Sequence, residues 1–210
     1  MPAPSEAVAL QRELAARVVR RNDFGELHTV AGADTSIRNG HVFAAICVFS
    51  FPELEPLESA SAVRAVEFPY VPGLLGFREV PALVEAFERL RVRPDFLLVD
   101  GHGLAHPRRF GVACHLGVEL DLPSIGCGKS LLVGEHRQPA GRRGSRTRLV
   151  HRGEVVGTVL RTRAGVKPIY VSLGHRFDLP TAVGLALACT KGFRLPEPIR
   201  AADRAAGEVR

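Results

Sequence analysis

The chain has 210 residues, of which 46% are hydrophobic and 24% are charged. These values are typical of a globular protein with one sizeable core, and they exclude disordered and fibrous classes. Its 28 basic and 22 acidic residues give a net charge of +6, which favours a polyanionic partner, while the base composition of the gene can account for the same excess of arginine.

The four cysteines lie far apart and form no Cys-x-x-Cys pair. Three of them fall in apolar segments, as reduced and buried thiols do, so we expect a reducing compartment. The N-terminus has no signal-peptide pattern, and no apolar run approaches the roughly 20 residues of a membrane span. We therefore expect a cytoplasmic monomer without membrane contact, with a single domain over residues 1–210.

In the first half of the chain, the pattern predicts a helix, three strands and a second helix. Ser5 can cap the first helix, whose apolar residues recur at helical spacing. Asn39-Gly40 separates two β-rich runs, which indicates a hairpin. Pro81 is expected in the first turn of the second helix, where a missing N–H is tolerated. The strands are predicted at 27–37, 41–51 and 60–68, and the second helix at about 77–91.

In the second half, strands and helices alternate. The apolar run that ends at Asp100 is followed by glycines, and such a run predicts a buried strand whose last side chain reaches a crevice. Residues 134–152 are rich in arginine and predict an exposed basic loop. Further strands are predicted at 147–151, 155–162 and 168–173, and helices at 110–120, at 181–190 and from Pro198, with a frayed tail at 204–210.

Two motifs suggest chemistry that their spacing does not support. Residues 125–130 end in Gly-Lys-Ser like a phosphate-binding P-loop, but Pro123 stands where that motif needs glycine. The glycine-rich turn can still place amides and an ammonium beside one phosphate. His102, His106 and His115 suggest zinc, yet they lack the one-face spacing of a helical histidine pair.

Three carboxylates form a more informative set. Asp34 and Asp100 are expected at strand ends and Glu79 at a helix start. If they meet, their like charges require a divalent cation, and oxygen ligands favour Mg²⁺ or Mn²⁺. Such a site suits phosphodiester hydrolysis. Taken one at a time, each carboxylate is better explained as a helix cap or a surface charge, and the sequence does not show that the three meet in space.

Several long motifs occur in order along residues 10–203. They are Ala31-Gly32-Ala33-Asp34, Pro69-Tyr70-Val71-Pro72-Gly73 with Phe77-Arg78-Glu79, Val99-Asp100-Gly101-His102-Gly103 with Ala105-His106-Pro107, Ile125-Gly126-Cys127-Gly128-Lys129-Ser130, and Val171-Ser172-Leu173-Gly174-His175. Together these motifs resemble the endonuclease V family.

This resemblance implies an α/β, RNase H-like fold with a central mixed β-sheet flanked by α-helices. It also implies a Mg²⁺-dependent DNA repair endonuclease, for which Mn²⁺ can substitute. Its substrate would be deoxyinosine in DNA, cut at the second phosphodiester bond 3′ to the lesion. Inosine-containing RNA is also a family substrate, and a non-catalytic binder of inosine-containing nucleic acid is a further alternative.

The resemblance assigns roles to the charged residues. Asp34, Glu79 and Asp100 would bind the metal. Asp203 would complete the catalytic set, a role that rests on the resemblance alone. Lys129 would lie near the scissile phosphate, where its charge can offset transition-state charge.

The resemblance also implies a wedge and a pocket. Pro69, Tyr70, Val71 and Pro72 are similar to the family's strand-separating wedge, and a core tyrosine between two turns is the alternative. An aromatic side chain can occupy the space that a displaced base leaves.

Residues 134–152 depart from the family pattern, and we interpret them as a non-specific contact to the nucleic-acid backbone or a solvated loop. The implied base pocket is Gly73, Leu75, Gly101 and Gly126, and the implied supporting or phosphate-contacting residues are Arg78, His106 and His115.

Overall fold

The computed structural model describes residues 3–209. They form eight strands and five helices. None of the helices in this range is long and apolar enough to cross a membrane. The strands are β1 (Thr29–Arg38), β2 (His41–Ser50), β3 (Pro56–Ala65), β4 (Phe96–Val99), β5 (Ser124–Gly128), β6 (Arg146–His151), β7 (Glu154–Leu160) and β8 (Ile169–His175), and the helices are α1 (Pro4–Ala15), α2 (Leu75–Glu88), α3 (Val112–Leu120), α4 (Leu179–Ala188) and α5 (Glu197–Glu208).

All eight strands belong to one mixed sheet with the order β3-β2-β1-β4-β5-β8-β7-β6. The central strands β1, β4 and β5 are parallel, and the outer pairs are antiparallel. The predicted hairpin is confirmed, because Arg38 pairs with His41 and the two turn residues, Asn39 and Gly40, have φ values of 49° and 71°. Positive φ at both positions suits the twist of the strands.

The sheet has an apolar core on each face. Phe96 and Leu98 of β4 pack into the cluster beneath α4 and α5, while Leu97 and Val99 pack into the cluster beneath α2 and α3. This alternation is what a two-residue period demands of a strand covered on both sides. The four cysteines are free and buried, as expected. The predicted sheet flanked by helices is confirmed.

Gly32 lets α5 pass directly over β1. A Cβ atom placed on Gly32 would lie 2.0 Å from the carbonyl oxygen of Pro198. Such a distance is impossible for a real side chain, so the approach requires glycine at this position. Ile199 and Ala202 of α5 are fully buried in the same cluster. The close approach brings Asp203, the next residue of the helix, to the face of the sheet that carries Asp34.

Two details of the helices differ from the predictions. The N-cap of α1 is Ala3, not Ser5, and its N–H donates to the Glu6 carboxylate at 2.8 Å. Ala3 forms no side-chain cap, so the hydroxyl cap expected from Ser5 is absent, and the Glu6 carboxylate instead accepts from the N–H of the N-cap residue. Pro81 lies inside α2, beyond its first turn, because the helix begins at Leu75, earlier than predicted. Because α2 begins at Leu75, the loop that contains Pro69 and Pro72 ends before Leu75.

The C-terminal helix is longer than predicted. Residues 204–208 continue α5 and do not fray. Ala206 is buried, and the Arg38 guanidinium donates to the carbonyl oxygen of Ala206 at 3.0 Å and to that of Val209. These bonds satisfy carbonyl groups that a helix end leaves without partners. Arg210, the last residue of the predicted tail, lies outside the described residues.

The basic segment 134–152 is only partly a loop. The strand β6 occupies its second half, and Glu135 forms an isolated bridge with Val150. The predicted hairpin at Arg152-Gly153 is confirmed, since β6 and β7 pair in antiparallel fashion on either side of it.

The Gly32→Ala substitution is expected to destabilise the protein by at least about 3 kcal/mol, because the added methyl group overpacks the contact between β1 and α5. Urea denaturation measures this change. Gly207→Ala is the matched control on α5 itself, since nothing lies within 4 Å of its Cβ position. Alanine there should stabilise the helix by up to about 1 kcal/mol. Equal effects of the two substitutions would contradict the close approach.

Candidate metal centre and nucleic-acid cleft

Three aspartates from distant segments meet at one edge of the sheet. Asp34 lies in β1, and Asp100 follows the last residue of β4. The two strands are parallel neighbours, and the N–H of Asp100 donates to the carbonyl oxygen of Ala33 at 3.0 Å. Asp203 reaches them from α5. One carboxylate oxygen of each aspartate lies within 4.8 Å of those of the other two.

Lys129 is the cation of this cluster. It directly follows β5, and its Nζ lies 2.5 Å from Oδ2 of Asp100, 3.1 Å from Oδ1 of Asp203 and 3.9 Å from Oδ2 of Asp34. Burial alone would lower the pKa of Lys129, but the hydrogen bond and charge of Asp100 raise it above its usual value. The ammonium group therefore stays charged and offsets part of the negative charge.

One lysine does not neutralise three carboxylates. Burial and the charge of Asp100 raise the pKa of Asp34 to about 9, although Lys129 acts in the opposite direction. Burial also acts to raise the pKa of Asp203, but the hydrogen bond and charge of Lys129 lower it overall. Without another cation, Asp34 holds a proton at neutral pH. The cluster thus has capacity for further positive charge.

Glu79 lies beside the cluster and outside the group of three. It projects from α2, and burial raises its pKa to about 7. A hydrogen bond from the Thr35 side chain acts to lower this pKa, while the charge of Asp100 acts to raise it. In addition to burial, the charge of Asp100 therefore acts to raise the pKa of Glu79, as it does that of Asp34.

The donor set fits a hard divalent cation. All three donor side chains of the group are carboxylates, with Lys129 as their cationic neighbour, and oxygen-only sites suit Mg²⁺ or Mn²⁺ more than Zn²⁺. A divalent ion would also relieve the repulsion that raises the pKa of Asp34. The histidines of the zinc hypothesis are absent from this cluster, as far as residues 3–209 show.

A cavity of about 240 Å³ opens next to the cluster. Gly73, Leu75, Gly101 and the wedge residues Tyr70 to Pro72 line one part of it, and Ser130 to Leu132 line another. Tyr70 is 71% exposed at the mouth. The alternative of a core tyrosine is therefore wrong.

Gly126 lies behind the cavity wall and is absent from the lining found over residues 3–209. A Cβ at Gly126 would lie 2.5 Å from the backbone nitrogen of Gly103. Its missing side chain lets the loop after β4 pack directly on β5. Gly101 has a φ of 138°, a conformation that favours glycine. The two glycines thus shape the same loop in different ways.

The predicted supporting residues occupy different places. His106 lines the cavity, and burial lowers its pKa to about 4. His115 is buried on α3 between the rings of Phe77 and Phe110, at centroid distances of 4.9 and 5.3 Å, and burial lowers its pKa to about 4 as well. Both imidazoles are neutral at pH 7. The Nε atom of Arg78 is buried with no hydrogen-bond partner within the described part of the chain.

Gln11 is a buried residue that the sequence pattern did not single out. Its Nε2 donates to the carbonyl oxygens of Gly73, at 3.0 Å, and Phe110, at 2.8 Å. Arg108 donates to Gln11 Oε1 and, at 2.6 Å, to the same Gly73 carbonyl. The sequence offers one signal for this residue: Gln11 lies four positions after Ala7, and both residues fall on the buried face of α1. Gln11 ties α1 to the end of the wedge segment.

The described geometry agrees with comparisons to known proteins. Residues 12–204 match the family model described as Endonuclease V. The chain belongs to the endonuclease V family. A curated family member from Roseiflexus sp. (strain RS-1) is 53% identical over 98% of this chain and 93% of its own length. The predicted family is confirmed.

Solved structures of the family show the same fold. Endonuclease V from Streptomyces avermitilis has a TM-score of 0.94 and 41% identity, covering 99% of this chain and 92% of that chain. Endonuclease V from Ciona intestinalis, bound to a 24mer DNA containing an inosine followed by a ribo-adenosine, has a TM-score of 0.84 and 27% identity, covering 97% and 96%. The fold of this family member is RNase H-like, as predicted.

The Gln11→Ala substitution is expected to loosen the wedge segment, because it leaves the Gly73 and Phe110 carbonyls short of a donor. The chain has no tryptophan, so Tyr70→Trp introduces a single fluorescent reporter. Adding Gln11→Ala should lower the fluorescence anisotropy of that reporter and cost about 1–3 kcal/mol of stability. Gln138→Ala, at an unrelated glutamine, is the control. Unchanged anisotropy would show that Gln11 does not hold the wedge.

Proposed function

We propose that this chain is a Mg²⁺-dependent DNA repair endonuclease that recognises deoxyinosine and hydrolyses the second phosphodiester bond 3′ to it. The observation that carries the proposal is the continuity of residues 129–132. Lys129 contacts the carboxylate cluster, and the next three residues line the cavity. A base held in the cavity would place its own strand across the cluster.

The residues that would hold Mg²⁺ are Asp34, Asp100 and Asp203, with Glu79 beside them. A bound ion supplies an activated water and stabilises the leaving oxygen. Lys129 contributes a fixed positive charge at the same place, and it can pair with a phosphate oxygen as charge develops in the transition state. This position supports the expected role of Lys129 near the scissile phosphate.

Base recognition rests on the cavity and the exposed wedge. Gly73 and Gly101 line the cavity, and neither adds a side chain of its own to the wall. Tyr70 can enter the space that a displaced base leaves, and Pro69 and Pro72 limit the flexibility of the segment. The buried side chain of Phe68 anchors its start. His106, Leu75 and Arg78 would support the bound nucleotide.

Inosine-containing RNA is a second candidate substrate. The Ciona relative was crystallised with a DNA in which a ribo-adenosine follows the inosine, so that protein binds a strand with a ribonucleotide next to inosine. Cleavage rates on matched DNA and RNA strands, each with one inosine, decide between the two substrates. A non-catalytic binder is less well supported, because every carboxylate position is filled.

The purified protein with Mg²⁺ is expected to nick a duplex containing one deoxyinosine and to leave the unmodified duplex intact. Asp100→Asn should reduce the nicking rate at least about a hundredfold, since even indirect partners of a metal are worth about 10- to 100-fold. Gel analysis of end-labelled DNA gives both the rate and the cut position. Asp95→Asn, at the opposite end of β4, is the control for the loss of one carboxylate. Nicking by Asp100→Asn at the unaltered rate would show that the metal site is misplaced.

The Tyr70→Ala substitution is expected to slow nicking of a paired deoxyinosine more than nicking of a single-stranded one, because only the duplex needs a base to be displaced. Unstacking costs a few kcal/mol, so the duplex rate should fall by at least about tenfold. Single-turnover rates on both substrates measure the difference. Tyr70→Phe keeps the ring and should retain most of the duplex rate. Equal losses on both substrates would argue against the wedge.

A further inference from the structure

A basic groove of about 520 Å³ lies beside the cleft. The proposed endonuclease function assigns no role to the part of this groove beyond residues 129–131. The groove is formed by the segments that join β7 to β8 and α4 to α5. Ser130 and Leu131 line both this groove and the cavity. The two depressions therefore meet next to Lys129. The basic residues that line the groove are Lys129, Arg161, Lys167 and Arg194.

The strand register places these residues in a row. Gly128 of β5 pairs with Tyr170 of β8, and Ile169 of β8 pairs with Leu160 of β7. Lys129 and Arg161 each follow the last residue of their strands, and Lys167 lies just before β8 begins. All of them leave the sheet at the edge that carries Asp100. With strands about 4.8 Å apart, the row extends roughly 10 Å from β5 to β7.

The positive charge of the row is fixed and has no carboxylate partner outside the cluster. Over residues 3–209, none of Arg161, Lys167 and Arg194 forms a salt bridge. Arg161 donates to the carbonyl oxygen of Pro139 at 2.9 Å, and Arg194 donates to that of Pro168 at 2.9 Å. Carbonyl partners hold the guanidinium groups in place without neutralising them. The groove thus presents an ordered row of cations next to the carboxylate cluster.

We propose that this groove binds the phosphodiester backbone of the cleaved strand on the 3′ side of the scissile bond. The proposal rests on the proposed function. If the base lies in the cavity and the scissile phosphate lies at Lys129, the strand that continues past Lys129 enters the groove. Because the proposed cut is 3′ to the base, the nucleotides in the groove are those beyond the cut. Phosphate contacts of this kind position a strand without reading its sequence.

Lys167 is the residue that tests the groove. Its side chain is exposed and forms no hydrogen bond or ion pair within the described range, so its removal leaves the fold intact. Arg161 and Arg194 are unsuitable, since their carbonyl contacts also hold loops together.

The Lys167→Ala substitution is expected to weaken binding of a single strand that contains deoxyinosine and has a long 3′ arm. Loss of one phosphate contact lowers the slope of log K against log salt by about 0.7, which corresponds to about fivefold in Kd near 0.1 M salt. Fluorescence anisotropy titrations in EDTA measure Kd without cleavage. Lys167→Arg keeps the charge and should bind like the unaltered protein.

Two controls give the experiment its specificity. A strand that ends one nucleotide past the scissile bond does not reach the groove, so Lys167→Ala and the unaltered protein should bind it equally. Arg91→Ala removes one positive charge at the opposite end of β4 and should bind both strands like the unaltered protein. Equal weakening on the long and short arms, no weakening on the long arm, or the same weakening by Arg91→Ala would each overturn the proposal.

The nicking assay separates this proposal from the proposed function. If the unaltered protein nicks deoxyinosine DNA and Lys167→Ala binds the long arm normally, only the groove proposal fails. If the unaltered protein neither nicks deoxyinosine DNA nor binds it more tightly than unmodified DNA, both proposals fail.

Discussion

Repulsion between three carboxylates is the interaction on which the rest of the site depends. Asp34, Asp100 and Asp203 are held closer together than their charges favour, and burial together with the charge of Asp100 raises the pKa of Asp34. The fold sustains this arrangement through contacts elsewhere: parallel pairing of β1 with β4, and the docking of α5 over Gly32. Packing energy from both faces of the sheet therefore maintains an electrostatically unfavourable cluster that a cation stabilises.

The residues and depressions next to this cluster all lie at one edge of the sheet. The ends of β4 and β5 deliver Asp100 and Lys129, and the cavity and the basic groove lie on either side of the residues that follow Lys129. Negative charge is concentrated on the inner strands and positive charge on the strands toward β7. A polyanion that lies along this edge is attracted by basic residues over most of its length and meets the carboxylate cluster at one point. The net charge of the chain is less informative than this distribution.

Features that depend on neighbouring residues could be predicted from the sequence. Features that depend on long-range contacts could not. Asn39-Gly40 identified its hairpin because positive φ values are a property of the turn residues themselves. The expected Ser5 cap failed because the helix begins earlier, at Pro4, so Ser5 lies inside its first turn. The spacing of Gln11 from Ala7 indicates only that Gln11 faces inward. Neither its bonding partners nor the docking of α5 has a local signature, because each depends on residues far away in the sequence. Asp203 was therefore found only through family resemblance, while the meeting of Asp34 with Asp100 required the strand order.

The position of α5 along the chain has a consequence for biosynthesis. The helix that delivers Asp203 follows every strand of the sheet and all the other helices. During translation, β1, β4 and β5 leave the ribosome first, and the sheet can begin to form while its third aspartate has not yet been made. A nascent or truncated polypeptide that lacks α5 has an exposed apolar face over β1 and an incomplete cluster. The carboxylate cluster is therefore complete only after α5 has been synthesised.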